Sequence, residues 1–103
     1  MEPQVVNRPE RSRYEVLVGD DGETAGFAEY FLSEGEIAFI HTETDPRFAG
    51  RGLGGLLAQG ALDDARARGL HVMPYCPFIQ GWIRKHPEYA DLVPETCRPR
   101  FGL

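Results

Sequence analysis

The sequence predicts an α+β domain with a mainly antiparallel sheet of four to five strands, a βαβ crossover and two helices. Three observations support this prediction. Apolar side chains alternate along three successive segments separated by short turns, as in an antiparallel meander. Apolar residues then recur every three or four positions over residues 53–68, as in an amphipathic helix. A short β-like segment at residues 70–76 follows this helix, which predicts a right-handed crossover and a parallel strand pair.

The three antiparallel strands are assigned from alternation and from the turns between them. Residues 13–18 alternate polar and apolar side chains and predict the first strand. The next two strands are predicted over residues 24–32 and 37–43. Gly22 and Gly35 lie in the short polar turns that join the three strands, so neighbouring strands are expected to be antiparallel.

The remaining elements follow from helix signals. Gly69 lies where a C-terminal cap ends the helix over residues 53–68, and Pro87 ends a second, shorter helix. Residues 1–12 and 94–103 offer little to bury. They are expected to be poorly ordered or, at the N-terminal end, to add a short edge strand. The 103 residues then form a single domain. The second helix is predicted from apolar side chains at spacings of one and three: Phe78, Ile79, Trp82, Ile83 and His86.

Charge and cysteine content exclude several classes of function. The net charge is −5, with only one lysine beside ten arginines, and this acidic balance argues against nucleic acid as the main partner, because neutralising phosphates needs a basic face. Cys76 and Cys97 are the only cysteines and show no metal-binding spacing, so no metal is expected. The two cysteines are expected to stay free thiols, as in a reducing cytoplasm. The sequence shows no signal-type or membrane-spanning segment. We therefore expect a cytoplasmic protein without a membrane partner.

The most informative stretch is the glycine corner, residues 47–55, between the strand over residues 37–43 and the following helix. Four glycines lie within six residues there. Glycine permits positive φ and lets a ligand approach the main chain closely. The N–H groups of a first helical turn have no internal partner, and the helix dipole adds positive charge. The corner is therefore suited to bind an anion, most simply a phosphate.

Two nucleotide motifs fit the glycine corner poorly. Gly50, Gly52 and Gly55 match the dinucleotide fingerprint G-x-G-x-x-G. However, the chain is too short for a doubly wound sheet, and the next strand ends in Tyr75-Cys76-Pro77 rather than in an acidic residue. A P-loop is excluded because no Gly-Lys-Ser/Thr occurs. A turn with only a structural role, in a small interaction domain, stays open as an interpretation.

The glycine corner resembles another kind of phosphate site. The run Arg47-Phe48-Ala49-Gly50-Arg51-Gly52 is similar to the R/Q-x-x-G-x-G/A motif of the GNAT superfamily of acetyl-CoA-dependent N-acetyltransferases. It also lies in that superfamily's order of strand, glycine loop and helix. Together with the flanking His41-Thr42-Glu43 and Leu53-Gly54, it resembles the compact single-domain branch. The resemblance extends from about Tyr14 to Val93 and implies a GNAT-like fold without the N-terminal helices of larger relatives.

This resemblance implies a cofactor and the residues that hold it. Acetyl-CoA would be the co-substrate, without a metal. Its pantetheine arm is an amide chain and would pair, like an added strand, with the backbone of Ile40, His41 and Thr42. Arg47 and Arg51 are candidates for the outer phosphates, with Arg51 slightly favoured. The pyrophosphate would bind main-chain N–H groups of the corner: Gly50, Arg51, Gly52, Leu53 and Gly54.

Candidates for catalysis lie near the expected thioester. Acetyl transfer to an amine needs a base, oxyanion donors and an acid for the leaving thiolate. Cys76 ends the last predicted strand and can take the acetyl group, or it is simply a small buried residue. His41 and Glu43 share a face of their strand and are the candidate bases, although a histidine at a strand end is more often structural. Alternation places His41 on the same side as Ile37 and Phe39.

The resemblance also bears on the side of the domain where the amine acceptor would bind. Without N-terminal helices, this side should be open or completed by another molecule, such as a second copy in a homodimer. The acceptor would be an amine of a small molecule, a polyamine or a protein. The sequence therefore predicts an acetyl-CoA-dependent N-acetyltransferase, with an acetyl-cysteine intermediate as one route. The alternative is a non-catalytic module that binds CoA or acyl-CoA and acts through a partner.

Overall fold

The computed structural model describes residues 2–103, and this part of the chain contains five strands and two α-helices. The strands are β1 (Gln4–Arg8), β2 (Arg13–Val18), β3 (Glu23–Ser33), β4 (Glu36–Thr44) and β5 (His71–Pro74). The α-helices are α1 (Leu53–Ala67) and α2 (Pro77–Lys85). Short 3₁₀ helices cover Pro9–Arg11, Pro46–Phe48, Pro87–Leu92 and Glu95–Phe101.

The strands form one sheet in the order β1-β2-β3-β4-β5. Neighbouring strands are antiparallel except β4 and β5, which are parallel and connected through α1. This topology confirms the predicted α+β class, the antiparallel meander and the βαβ crossover. β1 supplies the short edge strand, and Pro74 lies in the other edge strand, where a missing N–H is tolerated.

Helix α1 packs on one face of the sheet and forms most of the core with it. Leu57, Ala61 and Ala65 are fully buried along the helix. A glycine inside a helix costs about 1 kcal/mol relative to alanine. At Gly60 this cost is offset by close packing, because a Cβ there would lie only 2.7 Å from Val5 of β1.

β4 contains a β-bulge at Ile40. β3 pairs with Phe39 and then directly with His41, so Ile40 is an extra residue in the ladder. The bulge reverses the alternation of side chains beyond it. The prediction that His41 lies on the same side as Ile37 and Phe39 is therefore wrong. His41 lies on the opposite face, and Thr42 takes the side that faces the core.

The segment after α2 packs back onto the core. Tyr89 and Leu92 of the 3₁₀ helix Pro87–Leu92 are buried. The sequence predicts no regular structure for the final residues, yet Glu95–Phe101 forms a 3₁₀ helix that buries Phe101. Each helix described for residues 2–103 is too short or too polar to span a bilayer.

Candidate functional site

The glycine corner places free N–H groups at the start of α1. Gly50 and Gly52 have positive φ angles of 83° and 70°, and Gly52 is the N-cap of the helix. The first helical hydrogen bond runs from the Leu56 N–H to the Gly52 carbonyl. Gly52 has no side chain that could cap the N–H groups before Leu56. The N–H groups of residues 52–55 therefore lack a partner within the helix, at the positive end of its dipole.

The space beside this turn is open. Apart from the glycine's chain neighbours and the backbone of the adjoining helical turn, no atom of residues 2–103 lies within 4 Å of the position that a Cβ on Gly50 or Gly52 would take. A cavity of about 250 Å³ runs along the corner, between Thr44 at the end of β4 and Phe78 of α2. Phe78 closes it on one side, since a Cβ on Gly54 would lie 3.0 Å from the phenyl ring.

The sheet opens where β4 and β5 part. β5 pairs only with the first half of β4, from Glu36 to Phe39. The Cys76 N–H then donates to the Phe39 carbonyl at 2.9 Å, and the chain turns into α2. Beyond that point, the structure of residues 2–103 has no strand paired with residues 40–44 on this side. This stretch, here called the open edge of β4, contains the predicted positions Ile40, His41 and Thr42 and ends at the glycine corner.

Cys76 lies at the head of this opening. It is the N-cap of α2 and is only 4% exposed. Its thiol donates a hydrogen bond to the Thr42 hydroxyl, with 3.3 Å between Sγ and Oγ1. The bulge at Ile40 makes this contact possible, because it turns Thr42 toward the core. Neither Cys76 nor Cys97 forms a disulfide.

His41 and Glu43 lie on the other face of the same strand. His41 Nε2 is 3.4 Å from Glu43 Oε2, and the two side chains are 53% and 61% exposed. The His41 ring also faces Phe27 of β3, with 6.2 Å between the ring centroids. The structure therefore brings the two candidate bases together, on the side of β4 opposite to Thr42 and Cys76.

The two arginines of the glycine corner have different surroundings. Arg47 donates hydrogen bonds to Asp45 at 2.8 Å and to Glu23 at 2.5 Å. The hydrogen bonds to Asp45 and then to Glu23 raise the pKa of Arg47, and the hydrogen bond from Arg47 lowers the pKa of Asp45. Arg51 lies over the Phe48 ring at 5.3 Å, and no carboxylate of residues 2–103 lies within 4.0 Å of it. Of these two arginines, Arg51 is therefore the one without a carboxylate partner among residues 2–103.

Two side chains at the site do not follow from the sequence prediction. Thr42 is predicted there only through its backbone, yet its hydroxyl contacts Cys76. Phe78 is predicted as part of a core-facing helical stripe, but its ring is 42% exposed and lines the glycine corner. The spacing of Phe78, Trp82 and Lys85 along one side of α2 is the sequence signal for this surface.

A sheet that opens at its parallel pair, beside a glycine-capped helix, defines a GNAT-like α+β domain. A model of the GCN5-related N-acetyl-transferase family matches residues 13–92, and the chain belongs to this family of acetyltransferases. The NMR solution structure of a GCN5-like protein from Staphylococcus aureus is similar in fold. Its TM-score is 0.65 at 20% sequence identity, over 88% of this chain and 87% of that chain. Comparison with curated proteins gives no match.

Proposed function

We propose that this protein binds acetyl-CoA along the open edge of β4 and the glycine corner and transfers the acetyl group to an amine. The observation that carries the proposal is that the open edge of β4 leads directly to the glycine corner. Residues 40–44 leave β5 after Phe39 and run to the N–H groups of residues 52–55. An amide chain paired with the edge would therefore have its phosphate end at the corner. Membership in the family supports acyl transfer as the reaction class.

The residues of the glycine corner fit a pyrophosphate. An added Cβ on Gly50 or Gly52 would meet no described residue other than its chain neighbours and the adjoining helical turn, so the space beside both glycines is open. The N–H groups of residues 52–55 are donors of the kind that phosphate oxygens accept at a helix N-terminus. Arg51 adds an uncompensated positive charge, whereas Arg47 is held by Asp45 and Glu23. Arg51 is therefore the better candidate for a phosphate contact.

Cys76 is the candidate acyl carrier. Its position at the N-terminus of α2 stabilises negative charge that develops at the reacting groups. In this route Sγ attacks the thioester carbonyl carbon, the bond from that carbon to the CoA sulfur breaks, and the thiol proton passes to the departing sulfur. The acceptor nitrogen then attacks the acetyl-cysteine, the carbon–Sγ bond breaks, and a proton from nitrogen returns to Sγ. The acetyl group ends on the amine, and Cys76 is regenerated.

A direct route uses the other face of β4. Glu43 or His41 takes a proton from the ammonium form of the acceptor, and the free amine attacks the thioester itself. Both side chains are more than half exposed and lie 3.4 Å apart. Because residues 40–44 form an edge of the sheet, an acceptor can approach the thioester from this face. The Glu43 carboxylate would attract the ammonium group.

The surroundings of Glu43 and His41 favour an acceptor amine that is itself accessible. Such amines occur on small molecules, polyamines and protein surfaces. A homodimer would place a second copy of the chain over this face and complete the acceptor site. The two free thiols are consistent with a cytoplasmic location.

The burial of Cys76 favours a second candidate function. A thiol that is 4% exposed and already hydrogen-bonded has the environment of a structural cysteine. In that case the protein is a module that binds CoA or acyl-CoA without turnover and acts through a partner. CoA affinity would then survive Cys76→Ser, and no amine would stimulate release of free CoA.

Intact-protein mass spectrometry after mixing with acetyl-CoA tests the cysteine route. We expect one added acetyl group in the native protein and in Cys97→Ser, and none in Cys76→Ala. CoA release with an amine but without an adduct would establish the direct route. Binding without either would establish the non-catalytic module. If CoA does not bind at all, as calorimetry would show, the proposal is wrong.

A further inference from the structure

A cavity of about 330 Å³ opens between the ends of β3 and β4. Residues 24–27 and 43–46 form its walls, and Arg13 of β2 also lines it. We call it the β3–β4 cavity. Its volume lies at the lower end of the range for small-molecule sites, about 300–1,000 Å³, so it has room for one small, compact ligand.

Two irregularities of β3 shape this cavity. β2 pairs with Thr24 and then with Gly26, so Ala25 is an extra residue, a β-bulge. The Asp45 N–H donates to the Ala25 carbonyl at 2.7 Å, which holds the end of β4 against the bulge. At Gly26 a Cβ would lie 2.8 Å from the Glu43 carbonyl oxygen, so the close approach of the two strands requires glycine. Strand pairing therefore fixes the backbone around the cavity.

Phe27 lies between a cation and a carboxylate. The Arg13 guanidinium lies over the Phe27 ring, with 4.4 Å from Cζ to the ring centroid. Glu43 is the direct partner of Phe27 in the ladder between β3 and β4, so both side chains lie on the same face of the sheet. All three residues line the cavity. The cavity thus offers a positive group, an aromatic surface and a negative group to one ligand.

Arg13 can bind a second carboxylate. Its Nε and Nη2 contact Glu15 at 2.8 and 2.7 Å, whereas its Nη1 makes no hydrogen bond with residues 2–103. A guanidinium has five N–H donors in a planar fork. The edge formed by Nη1 and Nη2 is therefore available to a ligand.

The surroundings of Arg13 attract anions and repel cations. Glu15 accepts hydrogen bonds from Arg8, Arg11 and Arg13, so three positive charges share one carboxylate. Among residues 2–103, no other carboxylate oxygen lies within 4.0 Å of their nitrogens, including that of the cross-strand neighbour Glu29. A polyamine would bring a further positive charge against this excess, whereas a carboxylate would reduce it.

Glu43 is the carboxylate that can hold an ammonium group in the cavity. Asp45 also lines the cavity, but it accepts hydrogen bonds from the side chain and the backbone N–H of Arg47. The Glu43 side chain is 61% exposed, and His41 Nε2 lies 3.4 Å from its carboxylate. Glu43 is also a candidate base of the direct route. An amine bound here would lie beside the group that takes its proton.

We infer that the β3–β4 cavity holds the acceptor and that the acceptor is an amine that also carries a carboxylate, such as an α-amino acid. The carboxylate pairs with the free edge of Arg13, the ammonium group pairs with Glu43, and the side chain lies on Phe27. This inference rests on the proposed function and narrows its acceptor to amino carboxylates. Glu43 takes one proton from the ammonium group, and the nitrogen attacks the thioester carbonyl carbon. The bond from that carbon to the CoA sulfur then breaks, the second proton passes to the sulfur, and an N-acetylamino acid and CoA result.

Acetyl transfer to matched amines tests the need for a carboxylate. Each of the twenty standard L-amino acids is offered with acetyl-CoA, and the best one is compared with its amide, which has a similar size but lacks the negative charge. We expect kcat/KM to be about five- to tenfold higher for the amino acid, between the range of an exposed ion pair and that of a charged hydrogen bond. Equal values for the amino acid and its amide, or spermidine as a better acceptor than both, would overturn the inference.

Two arginine variants test the proposed carboxylate contact. Arg13→Gln should abolish the preference for the amino acid, mainly through KM, whereas Arg8→Gln should retain it. Each variant removes one partner of Glu15, and of the two arginines Arg13 is the one that lines the cavity. An equal loss of preference in both variants would contradict a direct contact with Arg13.

Thr24→Tyr tests the cavity without changing the arginines. It fills the cavity from β3 with a residue that favours strands, and it decides the question if Arg13→Gln does not fold. We expect KM for the amino acid to rise by about tenfold or more, with unchanged affinity for CoA. An unchanged KM would overturn the placement of the acceptor in this cavity.

Calorimetry separates this inference from the proposed function. CoA is titrated first, and the best amino acid is then titrated into the CoA complex. The amino acid should bind the native protein and Arg8→Gln more tightly than Arg13→Gln. If CoA does not bind, the proposed function itself fails. If CoA binds and other amines are acetylated while amino acids neither bind nor react, the inference alone is wrong.

Discussion

The Cys76 thiol donates a hydrogen bond to the Thr42 hydroxyl across the opening between β4 and α2, with 3.3 Å between Sγ and Oγ1. The two residues are 34 positions apart, and no sequence spacing connects them. Their contact depends on the bulge at Ile40, which turns Thr42 to the core-facing side. The hydrogen bond holds the thiol in one orientation at the point where an acetyl group bound along β4 would end.

Thr42→Val should slow acetylation of Cys76 by about two- to fivefold, because it removes the hydroxyl while keeping the shape of the side chain. A hydrogen bond contributes about 0.5–1.5 kcal/mol net, and a thiol is a weak donor, so the lower part of this range applies. The rate of adduct formation, followed by intact mass, measures the effect. CoA affinity should be unchanged, and Thr42→Ser should restore the rate. An equal loss of rate in Thr42→Ser would contradict a positioning role of the hydroxyl.

Gly52→Ala should weaken CoA binding at least tenfold. The Cβ would point into the open space that the pyrophosphate is proposed to occupy, and φ of 70° adds backbone strain of about 1–2 kcal/mol. Gly35→Ala is a matched control, since Gly35 has φ of 73° and equally open surroundings in the turn between β3 and β4. Both variants should lose similar stability in thermal unfolding. Only Gly52→Ala should lose CoA in calorimetry, and equal affinities of the two variants would argue against the phosphate site.

Arg51→Ala should reduce CoA affinity by about two- to fivefold at low ionic strength, and the difference should shrink in high salt. Arg47→Ala should have a smaller effect on affinity, because Asp45 and Glu23 already neutralise Arg47. Titrations of both variants at two salt concentrations separate the two arginines. A larger loss in Arg47→Ala would show that its ion pairs rearrange to admit the phosphate.

Glu15 should make the fold sensitive to acid. Its carboxylate is 1% exposed and accepts hydrogen bonds from Arg8, Arg11 and Arg13. Desolvation raises the pKa of Glu15, but the hydrogen bonds from Arg13 and Arg8 outweigh it, so the pKa lies below its ordinary value of 4.5. The ionised carboxylate therefore stabilises the fold above that value, and this contribution is lost as pH falls through the lower folded-state pKa.

Glu15→Gln should accordingly lower the free energy of unfolding by about 1–3 kcal/mol at neutral pH. Near pH 3 the difference in unfolding free energy between Glu15→Gln and the native protein should be smaller. At that pH a larger fraction of the native Glu15 carboxyl groups is protonated, so the ionised form contributes less to stability. Urea unfolding at both pH values measures the two differences. Glu34→Gln, in the turn between β3 and β4, is the control and should change little. If Glu15→Gln lowered the unfolding free energy by the same amount at both pH values, the ionised Glu15 carboxylate would not be the source of the stability.

The elements were predictable because each is specified by local patterns. Alternation predicted β2, β3 and β4 to within two residues of their observed ends, and the three- and four-residue repeat did the same for α1. The side of the sheet occupied by His41 was not predictable in this way. Alternation assumes an uninterrupted ladder, and the extra residue at Ile40 appears only when β3 pairs with β4.

The sequence by itself determined the family, the order of the elements and the glycine corner. Glycine spacing and the first turn of a helix depend only on residues next to one another in the chain. Tertiary structure alone decided that Thr42 meets Cys76, that Glu23 pairs with Arg47, and that Phe78 of α2 lines the glycine corner. These relationships link segments that are distant in sequence, because they arise only when β4 parts from β5 and α2 packs beside α1.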